Sequence, residues 1–327
     1  MEGGRGLSRR MRKEHKTWLE HRFGSMVHFG EPMSAYTTFR IGGPANIVTV
    51  KTDQQLQELV RWSRENGLPV MILGAGSNLL VKDGGIRGIV VRLANGFTSI
   101  ERIDGQTDGK HVRLVVGAGV FLSKLCRYAI SEGLAGLNFA LGIPGTVGGA
   151  IRMNAGAWGT CMAERLTAIT VLNVAGQTET ILREALPFAY RRLDLKEGTV
   201  ILRGEFLLTP SDTSLLHDDA TQMLKQRKRR QPSPIGTAGC FFKNPTEGPS
   251  AGELIEKAGL KGTRQGNAQI SGKHANFVVN RGGATAADVI SLTRRAQRVV
   301  YEKFGIHLKR EVIVVGQETT SKEPLQE

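Results

Sequence analysis

The sequence has little cysteine, and what it has is scattered. Cys126, Cys161 and Cys240 are odd in number, far apart and outside any metal-ligand grouping. That argues against a disulfide framework and a zinc site, and favours a reducing, cytoplasmic setting. No apolar run approaches the roughly 20 residues of a membrane-spanning helix, so no membrane span is expected. The N-terminal stretch MEGGRGLSRRMRKEHKTWLEHRFG lacks the apolar centre of a secretory signal; residues 1–25 read as a basic tail, frayed or in a short helix. Proline is sparse, eleven residues against 41 glycines, without a collagen-like period, a low-complexity tract or an internal repeat. Acidic residues are too few to balance the basic ones, leaving a net charge of +14. Nucleic-acid binding, plain solubility and a site for multiply anionic small molecules all fit that number. The charge is dispersed apart from the tail and KQRKRR (225–230), and no RNA-recognition or zinc-finger pattern accompanies it, so no nucleic-acid partner is expected.

What is present is enough for two or three units with real cores: 327 residues, 40% of them hydrophobic. Residues 46–93 read strand (NIVTV), helix (QQLQELVRWSREN, opened by a Thr52/Gln55 capping pair and stopped by Gly67) and strands (PVMIL, GIVVRL), which implies a parallel pair. Residues 98–209 add the strand HVRLVVGAG, the helix FLSKLCRYAISEG, a hairpin turning at Gly176 and the strand TVILRGEFLLTP. A third unit, 212–316, holds a polar helix ending in KQRKRRQP, a short helix SAGELIEKAGL, the strand NFVVN and a long helix between Thr285/Asp288 and Gly305. The strand KREVIVVG closes it. The last residues, QETTSKEPLQE, read as disordered.

Four stretches invite chemistry. LGAGSN (73–78) follows a strand, and its successive amides suit a pyrophosphate. It is neither a dinucleotide fingerprint nor a Walker loop, and an ordinary turn is the competing reading. LGIPGTVGGAIRMNAGAWG (141–159) has six glycines in nineteen residues; a flat ligand lying against bare main chain explains that entropic cost. FAYRRLDL (188–195) sets Tyr190 beside Arg191, a residue type that clamps carboxylates, although a solvated edge strand reads the same way. GTAGCFFKNP (236–245) places Cys240 among glycines and phenylalanines, as a small core hydrophobe or as a proton-bearing group.

Taken in order, AYTTFRIGGPA, LGAGSNLLV, GIPGTVGGAIRMNAGAWG, YRR, AGCFFKNP, AGELIEKAGLKG, SGKHANFVVN and KREVIVVG resemble the UDP-N-acetylenolpyruvoylglucosamine reductase (MurB) family from about Phe29 to Gly316. The resemblance implies an α+β and α/β architecture: an FAD-binding fold of the p-cresol methylhydroxylase type in two lobes (26–95 and 96–210), a substrate-binding lobe (211–316) and a C-terminal tail (317–327). It implies tightly but non-covalently bound FAD, NADPH as hydride donor and the enolpyruvyl ether of UDP-N-acetylglucosamine as substrate, in a monomer or weak oligomer. The phosphates of these ligands account for the basic balance. Only 71 positions separate Cys240 from Glu311, with no tyrosine between Cys240 and Val300, so the chain resembles the shorter, second type, which lacks the inserted tyrosine-bearing segment.

Residue roles follow from the same resemblance. FAD falls to Gly74, Ala75, Gly76, Ser77, Asn78, Leu79, Ile143, Pro144, Gly145, Thr146, Gly148, Gly149 and Ala150, with Arg227 facing it. The substrate falls to Tyr190, Arg230 and Asn244. N5 of the reduced flavin gives a hydride to the methylene carbon, Arg191 opposes the developing negative charge, Glu311 lies by the substrate carboxylate, and Cys240 supplies the proton where the family commonly has serine. Ile313 stands where members often have arginine. Another flavoprotein of the same fold is the rival enzyme, and a charge-driven nucleic-acid-binding protein is the rival from a different class.

Overall fold

The computed structural model describes residues 11–103 and 110–319. The frayed start and disordered end expected of the two tails fall largely on residues 1–10 and 320–327, outside the described residues.

The first lobe begins earlier than residue 26. Within the presumed basic tail, Lys13–Phe23 form a helix (α1) whose Leu19 is fully buried and whose Trp18 stacks on Trp62 with ring centroids 4.0 Å apart. Those apolar side chains dock the helix in spite of its charge. A four-stranded sheet follows. It contains β1 (Val27–Pro32), β2 (Pro44–Val50), β3 (Val70–Leu73) and β5 (Ile89–Leu93) in the order β1-β2-β5-β3, with α2 (Asp53–Glu65) crossing over between β2 and β3. β5 runs parallel to both β2 and β3, and β1 is antiparallel to β2. β4 (Leu79–Val81) leaves this sheet. The Thr52 hydroxyl caps α2 as expected, but the Gln55 side chain reaches one residue further back, to the Lys51 amide.

The second lobe is an antiparallel sheet on which helices pack. Its strands are β6 (Ile100–Ile103), β7 (Val112–Gly117), β8 (Leu134–Ala135), β11 (Leu166–Leu172), β12 (Thr178–Leu182) and β15 (Val200–Pro210), ordered β12-β11-β15-β7-β6 with β8 pairing the end of β15. The β11–β12 hairpin turns at Gly176, whose φ is +83°. α3 (Leu122–Ser131) and α4 (Val147–Arg152) cover the sheet. Two small hairpins project from it, β9 (Gly156–Ala157) with β10 (Thr160–Cys161) and β13 (Phe188–Ala189) with β14 (Arg192–Leu193).

α5 (Thr213–Arg230) leads into the third lobe. Leu216 and Ala220 bury its first half in the second-lobe core. Beyond it come α6 (Ala251–Lys257), the meander β16 (Arg264–Gln265), β17 (Ala268–Ile270) and β18 (Val278–Asn280), and α7 (Ala286–Phe304). α7 begins with the reciprocal Thr285/Asp288 capping box and ends at Gly305 in the left-handed conformation, as its sequence predicts. The last strand, β19 (Ile313–Val315), behaves differently from expectation. It returns to the first lobe and pairs in parallel with β4. Glu311 therefore precedes the strand, at the seam between lobes. The third-lobe core likewise takes in Phe39, Ile41 and Leu80 from the first lobe.

Candidate active site

The three lobes meet around a cleft of about 1050 Å³. One wall is the loop between β3 and β4. It is held to the second lobe by the Ser77 hydroxyl, which donates to the Pro144 carbonyl at 2.7 Å, and to the third by the Asn78 side chain, which donates to the Glu311 carbonyl at 3.3 Å. Gly76 has to be glycine: its φ is +61°, and a Cβ there would lie 2.2 Å from the Tyr36 carbonyl oxygen. A second wall is the stretch from Gly142 into α4, where Thr146 caps the helix.

Most expected residues converge here. Gly74, Ala75, Gly76, Ser77, Asn78, Leu79, Ile143, Pro144, Gly145, Thr146, Gly149, Ala150, Arg227, Arg191, Cys240 and Glu311 all line the cleft. Gly148 is turned away: its amide donates to the Ala118 carbonyl at 2.9 Å, and a Cβ would meet that of Ala118 at 2.8 Å, so it serves helix packing. The three residues assigned to substrate lie outside the cleft wall. Asn244 accepts from the Ala251 amide at 3.1 Å, at the start of α6. Arg230 is exposed at the end of α5, and Tyr190 stands 53% exposed at a hairpin tip with the Arg191 guanidinium 5.2 Å from its ring centroid.

The chemistry concentrates on three side chains. Arg191 occupies the β13–β14 turn with φ +56°, a left-handed conformation unusual for a bulky residue and typical of functional sites. Its Nε lies 3.2 Å from Glu311 Oε1, close enough for an ion pair, yet the alignment is not that of a hydrogen bond and Nε has no hydrogen-bonding partner. The distance therefore marks an electrostatic contact, with a donor left over. Burial raises Glu311 above the usual carboxylate range against the opposing pull of Arg191 and Lys243. The Glu311 amide donates to the Phe241 carbonyl at 2.9 Å, which sets Glu311 beside Cys240. The Cys240 thiol, largely buried in the cleft wall, is pushed up to about 12 by desolvation and then by Glu311, with Arg191 and Arg227 pulling the other way. The neutral thiol is thus the form present at ordinary pH.

Arg227 reaches across to donate to the Gly142 carbonyl at 3.0 Å. Arg152, Lys228 and Lys273 complete five cations on a lining whose sole carboxylate, among the described residues, is Glu311. None of those three is picked out by the sequence: Lys228 sits in the basic run KQRKRR and Arg152 in the glycine-rich stretch, but neither pattern says which side chain faces the cleft. Three glycines leave the floor bare. A Cβ at Gly145 would come no nearer than 3.7 Å to the Ser77 hydroxyl and one at Gly149 no nearer than 3.6 Å to that of Thr146, and one at Gly239 would meet nothing within 4 Å. No metal-binding group of His, Cys, Asp or Glu occurs among the described residues, and no described helix is long and apolar enough to cross a membrane.

Comparison with known proteins covers both halves. Residues 44–181 match the FAD binding domain family, and residues 231–315 match the family described as UDP-N-acetylenolpyruvoylglucosamine reductase, C-terminal domain. The UDP-N-acetylenolpyruvoylglucosamine reductase of Desulfosudis oleivorans is 42% identical over 310 residues, covering 92% of this chain and 98% of that one. That of Syntrophus aciditrophicus is 44% identical over 306 residues, covering 93% and 96%. The crystal structure of the reductase (MurB) from Thermus caldophilus superposes with a TM-score of 0.76 at 39% identity, covering 88% of this chain and 98% of that one.

Proposed function

The chain belongs to the UDP-N-acetylenolpyruvoylglucosamine reductase family, and from that premise we propose how its own residues divide the work. The reaction is reduction of the enolpyruvyl ether of UDP-N-acetylglucosamine to UDP-N-acetylmuramate, a step in making peptidoglycan precursors. The FAD-binding domain fits its cofactor: bare glycine backbone at Gly145 and Gly149 and the 74–79 loop would hold FAD, with Arg227 nearby. When bound, FAD supplies the two-electron relay between NADPH and the substrate's carbon–carbon double bond.

The remaining steps rest on side chains. Arg191 supplies positive field where charge develops on the enolate and carboxylate of the substrate. Glu311, which burial biases towards its protonated form against the pull of Arg191 and Lys243, donates a hydrogen bond to that carboxylate when it holds its proton. Cys240 holds a proton at Sγ and passes it to the carbon beside the carboxylate. The thiolate left behind is reprotonated from solvent. The other basic residues of the lining attract the phosphates of NADPH and of the UDP-sugar.

The observation that carries this reading is the joint placement of a neutral thiol, a neutral-leaning carboxyl and a guanidinium with an unspent Nε on one cleft wall. NADPH as donor, non-covalent FAD, a cytoplasmic setting and a monomer or weak oligomer belong to the same proposal. So does the shorter family type: the span between Cys240 and Glu311 is filled by α6, the small meander and α7, without a tyrosine-bearing insertion before Val300. The test is anaerobic. NADPH should bleach the flavin of the purified protein, and enolpyruvyl substrate should then restore its colour and yield UDP-N-acetylmuramate. A protein that NADPH bleaches but this substrate does not recolour would be a different flavoenzyme.

A further inference from the structure

The segment HANFVVN (274–280) has so far been given no task. We propose that Asn276 is a positioning residue for Cys240, its side-chain amide splinting the backbone just after the thiol so that Sγ stays on the cleft wall beside Glu311. The proposal rests on Cys240 being the proton donor.

The stretch that carries Cys240 has little stiffness of its own, since Gly236 and Gly239 both sit at φ +80°. It is held from outside at both ends. The Asn280 amide donates to the Gly236 carbonyl at 2.7 Å. Beyond the thiol, the Phe241 amide donates to the Asn276 carbonyl at 2.7 Å, and Cys240 and Phe277 form an isolated antiparallel bridge. Asn276 is 3% exposed, and its amide group imitates a peptide: Oδ1 accepts from the Phe242 amide at 2.9 Å, and Nδ2 donates to the Phe242 carbonyl at 2.8 Å. A carboxamide paired with both polar atoms of one residue fixes the orientation of that residue's backbone. Here that residue lies two places past the thiol. The Phe241 carbonyl meanwhile takes the Glu311 amide, so a shift of this backbone disturbs the placement of the thiol and of the carboxyl. His274 steadies Asn276 in turn, its Nδ1 accepting the Asn276 amide at 3.2 Å.

The test uses the FAD-loaded enzyme with its two half-reactions followed separately by stopped-flow absorbance. Asn276→Ala should leave bleaching by NADPH within about twofold of wild type and slow recolouring by enolpyruvyl substrate about 10²-fold, the scale of a misplaced reacting group. It should also raise the solvent deuterium isotope effect on recolouring, because proton delivery becomes limiting. Asn276→Asp keeps the acceptor for the Phe242 amide and loses the donor, and should fall between. Equal slowing of both half-reactions, loss of FAD from both variants, or unchanged recolouring each overturns the proposal. Cys240→Ala run in parallel separates the two claims: wild-type recolouring there removes the acid assignment itself, whereas slow recolouring there with normal Asn276 variants removes only the splint.

Discussion

In the proposed mechanism the Cys240 thiol carries the proton, and its surroundings decide whether it can. An ordinary thiol, near 8.5, would begin to lose its proton at mildly alkaline pH. Burial pushes this one up to about 12, so the rate of flavin recolouring by substrate should show no alkaline fall between pH 7.5 and 9 (roughly the span over which an unperturbed thiol would titrate). A fall centred near the ordinary thiol value, measured by stopped-flow across that range, would mean a solvated thiol. The same burial has a stability consequence. The folded state holds the Cys240 proton to higher pH than the unfolded chain does, so this residue's contribution to stability declines as pH rises from the ordinary thiol value towards about 12. Cys240→Ser should flatten that part of the urea-midpoint profile. Gly76→Ala tests the cradle. Left-handed backbone and a Cβ placed 2.2 Å from the Tyr36 carbonyl oxygen should cost roughly 1–3 kcal/mol in chemical unfolding and weaken FAD retention.

The elements show which local signals survive folding and which are remade by distant partners. α7 was legible at both ends because its Thr285/Asp288 box and Gly305 act within one turn. Its N-terminus also receives a group no local pattern announces: the Asp83 carboxylate accepts from the amides of Ala286 and Ala287 at 2.8 and 3.1 Å. Asp83→Ala should lower stability by about 1 kcal/mol, as loss of a helix cap does, with an unchanged dependence on denaturant. α1 was half legible. Its charge suggested a tail, while Trp18, Leu19 and Phe23 supply the apolar face that docks it on Trp62 and the first-lobe core. Leu19→Ala should cost about 2–5 kcal/mol, the usual range for an emptied buried leucine site, and midpoint shifts in urea would register it. A loss below 0.5 kcal/mol would mean the helix is dispensable.

At the level of the whole chain, the three-lobe plan and the glycine-rich walls of the cleft could be read from sequence, since both are written in contiguous stretches. What sequence concealed is non-local. Nothing local in KREVIVVG says what Glu311 faces, and it is largely buried because Asn78, 233 positions earlier, and β4 draw its segment back to the first lobe. Asn244, Tyr190 and Arg230 sit in or near stretches tied to the site, but their places in a helix cap, a hairpin tip and an exposed helix end keep them out of the cleft wall. A cleft built from all three lobes also ties cofactor to fold: FAD added to apo-protein at a hundred times its Kd should stabilise it by about 2.7 kcal/mol, visible as a concentration-dependent rise in Tm. The most direct test of the central claim replaces the thiol. With wild type, Cys240→Ser and Cys240→Ala each bleached anaerobically by NADPH and then mixed with enolpyruvyl substrate, bleaching should proceed in all three, recolouring should persist substantially in the serine variant and be lost in the alanine variant. Recolouring of the alanine variant at the wild-type rate would show that the proton comes from elsewhere.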